Sequence, residues 1–215
     1  MQLSTVYTVL GLFALSSAAA LPFESNGPYA LAVVSPNFAE IDGAMLALNT
    51  TKKVESTDSW DHGQWREIGI FPNSTCYRFN VKKSTATAAD NATYGLQNAY
   101  KGGHAGSATV TGDFGARATL VGPKGGWVLK EAPVEVELDM MPGAAGVEYK
   151  STEFTLSAEP RVLGYYGLEK AQWMAFPVGQ EGAWTIGLYD RSPDLVTVQI
   201  GQVVQLRVVE LQRGV

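Results

Sequence analysis

The stretch Asp58-Ser59-Trp60-Asp61-His62-Gly63-Gln64-Trp65 is the densest mixture of polar and aromatic groups in this 215-residue chain. Two indole rings lie within six residues of two carboxylates, an imidazole and an amide, which are the parts of a sugar-binding loop. Indole faces stack on sugar C–H surfaces, while short polar side chains bond the hydroxyls. The same residues suit a second purpose, because Trp60 and Trp65 can plug a core from a loop with their N–H groups bonded to backbone. Asp58, Trp60, Asp61, His62, Gln64 and Trp65 are thus the candidate ligand-binding set.

Candidates for catalysis are thin. The chain has two histidines, His62 and His104. Gly102-Gly103-His104-Ala105-Gly106-Ser107 has the look of an active-site loop, but a general base needs a positioned partner within hydrogen-bond reach. Glu135, Glu137 and Asp139 alternate along one strand face, where a solvated acidic surface explains them better than a glycosidase pair. Asp113-Phe114-Gly115 stands without any other kinase signature and reads as a turn. No G-x-S-x-G elbow, H-E-x-x-H pair, phosphate loop or dinucleotide fingerprint occurs. No catalytic residue and no cofactor is assigned. Two His and one Cys are too few for a structural zinc site. The single Cys76 excludes an intramolecular disulfide, and a lone cysteine is most often buried and inert.

The elements that would hold these residues have period two. Tyr29, Leu31 and Val33 alternate with small residues until Ser35-Pro36. Tyr77, Phe79 and Val81 alternate with polar neighbours. Val134, Val136, Leu138 and Met140 face away from the acidic Glu135, Glu137 and Asp139, and Val204, Leu206 and Val208 repeat the pattern. Shorter strand candidates are 44–49, 66–71, 107–111, 116–121, 127–130, 154–157, 172–176 and 184–189. Turn signals separate them at Gly112-Asp113, Gly122-Pro123-Lys124-Gly125-Gly126, Pro142-Gly143 and 179–182. A helix over 38–48 is the one alternative, weakened by Gly43. Tyr94-Gly95-Leu96 and Tyr166-Gly167-Leu168 form an internal echo that fits either a duplicated β unit or coincidence in a Gly/Ala-rich chain. The expectation is an all-β domain of many short antiparallel strands with little helix: a barrel, a trefoil or a sandwich.

Composition sets the outer bounds. Hydrophobic residues make up 46% and charged residues 17%, enough apolar content for a core and against disorder. The net charge of −5 excludes a basic nucleic-acid footprint. An apolar run over 6–15 followed by Ala18-Ala19-Ala20 has the form of a secretory signal peptide, although its n-region lacks Lys and Arg. That divides the chain into a signal at 1–20 and one extracellular domain at 21–215. No later apolar run is long enough for a membrane span. The end of the chain carries Glu210 and Arg213 rather than a hydrophobic anchor signal. Three sequons, at Asn49, Asn73 and Asn91, agree with passage through the secretory route. The stretch 84–93 is rich in Ser, Thr and Ala and reads as an exposed loop.

Two stretches resemble a known family. Val162-Leu-Gly-Tyr-Tyr-Gly-Leu-Glu-Lys-Ala-Gln-Trp173-Met-Ala-Phe-Pro177-Val, followed by Glu181-Gly-Ala-Trp184-Thr-Ile, is similar to small secreted fungal phialide-type cell-wall proteins, some of them IgE-binding antigens. Tyr29-Ala-Leu-Ala-Val and Ile41-Asp-Gly-Ala-Met-Leu resemble their mature start. Phe176 stands where those proteins often carry Cys. The resemblance implies a non-enzymatic protein of the cell wall or extracellular matrix of a filamentous fungus, with no catalytic residue to transfer; wall polysaccharide is the candidate partner. A carbohydrate-binding module using Trp60 and Trp65 is the second reading. A secreted hydrolase without a recognisable motif is the third.

Overall fold

The computed structural model describes residues 27–49, 66–84, 93–99, 117–132, 146–157, 160–190 and 201–211. These form thirteen strands and no helix: β1 (Tyr29–Val34), β2 (Ala47–Leu48), β3 (Arg66–Ile70), β4 (Phe79–Lys83), β5 (Tyr94–Asn98), β6 (Arg117–Pro123), β7 (Gly126–Ala132), β8 (Val147–Lys150), β9 (Phe154–Leu156), β10 (Leu163–Tyr165), β11 (Gln172–Pro177), β12 (Trp184–Tyr189) and β13 (Gln202–Glu210). The expected all-β class is what the chain adopts.

Eight of these strands pair in a ring. The order β1-β13-β11-β12-β7-β6-β5-β4 returns to β1, and each contact is antiparallel. Of the three expected architectures this is the barrel, whose closure removes the unpaired edges an open sheet would leave. Two of the seams split. β7 pairs with β12 at 126–128, then parts from it so that β3 can pair with both. β6 meets β5 at Arg117 and β8 from Leu120 to Pro123.

Alternation decides what fills the ring. Leu31 lies opposite Val208, Val33 opposite Leu206, and Trp173 opposite both Val204 and Leu188. Leu129 faces Leu120, and Val81 faces Leu96. All eleven belong to one buried cluster. A barrel of eight strands is just wide enough inside for side chains to fill it. Along β13 the intervening Gln205 and Arg207 are exposed, as period two requires.

Two alternatives left open above are decided. Residues 38–48 are not helical. The Gly43 and Leu46 amides donate to the Val33 and Leu31 carbonyls at 2.9 and 2.8 Å, so the segment turns and adds to the edge of β1. Gly43 takes a φ of 76°, the left-handed conformation that glycine adopts without steric cost. The internal echo is not a repeated unit either. Tyr94-Gly95-Leu96 lies in β5, whereas Tyr166-Gly167-Leu168 turns after β10 with Gly167 at a φ of 75°. The strand expected at 134–140 and the one at 107–111 lie outside the described residues.

Candidate functional site

Among the described residues, one charged side chain is turned into the barrel. Trp127, Leu129 and Glu131 are two residues apart on β7 and so share a face. Trp127 and Leu129 are core residues, and Glu131 is 2% exposed. Its register partners are Ala118 on β6 and Arg66 on β3. A carboxylate withdrawn from water at this depth requires a countercharge and hydrogen bonds.

Both are supplied. Arg66 Nε donates to Glu131 Oε2 at 2.9 Å, and Arg66 Nη2 donates to the same oxygen. Asn98 Nδ2, from the end of β5, donates to Oε1. The Arg66 side chain is 25% exposed, so the pair runs from the interior to the rim. Tyr77, fully buried and stacked 6.1 Å from Phe79, completes the group. Burial holds its phenol well above the ordinary tyrosine value, and the Glu131 carboxylate adds to that effect. The Arg66 guanidinium and the Ala118 backbone pull the other way. Its hydroxyl has no well-formed hydrogen bond. Arg117 Nε, at the β5–β6 seam, is also buried without a partner.

The topology makes this rim distinctive. Asn49, Arg66, Asn98, Arg117 and Glu131 all stand beside it; residues 50–65, 100–116 and 133–145, which adjoin them in sequence, lie outside the described residues. The network itself is suited to holding a polar group. Its donors and acceptors are fixed by one another, and Arg66 Nη1 makes no hydrogen bond among the described residues.

The candidate set Asp58, Trp60, Asp61, His62, Gln64 and Trp65 lies outside the described residues, as do His104, Glu135, Glu137, Asp139 and Asn91. Trp65 is the residue before Arg66. The three described tryptophans, Trp127, Trp173 and Trp184, are all buried. Trp127 Nε1 donates to Glu148 at 3.2 Å and Trp173 Nε1 to the Leu163 carbonyl at 2.7 Å. Cys76 is half-buried, and burial pushes its thiol up while the Arg78 charge opposes this. Of the sequons, Asn73 is exposed and Asn49 is buried. No group of three His, Cys, Asp or Glu side chains is placed to hold a metal among the described residues. Sequence reasoning missed Glu131, Arg66, Asn98 and Tyr77 as a group. The readable signal was parity, since extending the β7 alternation puts Glu131 on the inner face.

No family model, curated protein or solved structure matches this chain.

Proposed function

We propose that this is a secreted, non-catalytic glycoprotein of the fungal cell wall or extracellular matrix that binds wall polysaccharide at the rim carrying the Arg66–Glu131–Asn98 network. The observation that supports it is a hydrogen-bonded charge network running from the interior of a closed barrel to its rim, with Arg66 partly exposed there. A carboxylate held by a guanidinium and an amide is a fixed hydrogen-bonding surface rather than a free acid or base. Binding therefore suits it better than turnover. Trp65, bonded in sequence to Arg66, favours a lectin-like variant of the same reading in which Trp60 and Trp65 stack on the sugar.

The test is retention of the mature chain on insoluble chitin, β-glucan and mannan, with the wall fraction of the producing cells assayed alongside. The reading expects retention on at least one polysaccharide and loss of it when Trp60 and Trp65 are both changed to Ala. A chain that passes through all three and is missing from the wall fraction defeats it. Sugar release from any of them would favour a hydrolase instead.

A further inference from the structure

Two of the three sequons fall on described residues, and the fold treats them in opposite ways. Asn73 follows Pro72 in the turn that leaves β3. The Ser74 amide donates to the Phe71 carbonyl at 3.2 Å, closing a four-residue turn with Asn73 at its third position. The φ of Asn73 is 64°, a left-handed conformation that asparagine tolerates better than most side chains. Asn73 and Thr75 are exposed and Ser74 is half-buried, so the Asn-Ser-Thr sequon is presented at the surface.

Asn49 is built into the wall instead. It is 7% exposed, its amide N–H donates to the Glu67 carbonyl at 2.9 Å, and its Nδ2 donates to Glu67 Oε2 at 3.3 Å. Nδ2 is the atom to which an N-glycan bonds. A sugar there would replace one of its two hydrogens and need space that the β2–β3 pair already fills.

The two sites also differ in where they would put a glycan. Arg66 opens β3 at the network, whereas Asn73 lies three residues past Ile70, where the strand ends. At ~3.3 Å per residue the length of β3 alone separates that turn from Arg66 by about 13 Å.

We infer that, among these two sequons, Asn73 is the N-glycan acceptor and Asn49 stays bare, so that a glycan is rooted away from the rim holding the Arg66–Glu131 pair. The inference rests on the secretory reading given above. The chemistry is the ordinary one, in which the side-chain amide nitrogen displaces the lipid-pyrophosphate carrier from the reducing-end sugar and forms the N-glycosidic bond.

The experiment is secretion of the full chain from a eukaryotic host, followed by enzymatic glycan release in heavy-oxygen water. Release converts a glycosylated Asn to Asp and labels it, so peptide mass spectrometry reads each sequon separately. Label on the residue 73 peptide and none on the residue 49 peptide is the expected result. Thr75→Ala, which removes the sequon while leaving the turn residue in place, should abolish the label at 73. Asn49→Gln should leave the mass of attached glycan unchanged. Label at residue 49, or secreted protein with residue 73 bare, overturns this inference and leaves the secretory reading standing. Chain retained in the cytosol without a glycan overturns both.

Discussion

Glu131 is the one buried carboxylate among the described residues, and its burial makes Arg66 and Asn98 indispensable to it. Removing one partner of a buried pair leaves an uncompensated charge, which costs about 3–5 kcal/mol. Because Arg66 is partly in water, Glu131→Ala is expected to cost about 3 kcal/mol, at the low end, and a urea midpoint checks this. Tyr77 should behave in the opposite way. Its hydroxyl is buried without a good partner, so Tyr77→Phe keeps the ring packing and deletes an unmet polar group. The expected change is between neutral and about 1 kcal/mol of added stability, and a fall of more than that would show that the hydroxyl is satisfied in solution. Cys76 follows from the same physics. The thiolate is the reactive form, and burial favours the thiol, so alkylation at mildly alkaline pH should be slower in the folded protein than in urea. Nothing in Lys130-Glu131-Ala132 marks Glu131 chemically; only its phase on β7 does.

Strand pairings set the tolerance of the elements. Gly69 sits where β3 meets β12, and a Cβ there would run into the Trp184 carbonyl, a backbone atom that cannot swing away. Gly69→Ala should therefore destabilise by about 2 kcal/mol, in the range of other overpacking changes. Gly179, in the turn between β11 and β12, has open space around it and an ordinary φ, so Gly179→Ala should leave the thermal midpoint unchanged. Equal midpoints for the two variants would contradict the β3–β12 packing. β13 was legible because it alternates cleanly, and β1 because large apolar residues alternate with alanine; β6, β7, β11 and β12 are short apolar runs set off by turn residues. β5, β8 and β10 were not. Val147–Lys150 is half-buried throughout, and Leu163–Tyr165 is only three residues long, so neither has a readable period. Residues 38–48 carried a helix-like pattern that pairing with β1 overrode.

At the scale of the whole molecule, burial acts on several groups at once. Tyr77, Tyr165 and Tyr189 all have phenols raised above the ordinary value, burial being the largest cause in each. The sign is fixed by the direction. A phenol whose folded value is raised stays neutral after the unfolded chain has begun to ionise, so stability is fully present below about pH 10 and declines as pH rises from there toward the folded values. Absorbance titration should show some tyrosines ionising freely and others only with a cooperative loss of structure. Smooth ionisation of every tyrosine around pH 10 would mean that these rings are not enclosed. What the residues determined by themselves was the all-β class, most of the strands and the candidate chemistry of individual side chains, because period two and turn residues act over a few positions. Tertiary structure alone decided that the sheet closes into a ring, that β3 enters between β7 and β12, and that Arg66, Tyr77, Asn98 and Glu131 meet inside it. Those contacts join positions 33 and 65 residues apart, and such pairings depend on how strands order in space, which no local pattern encodes.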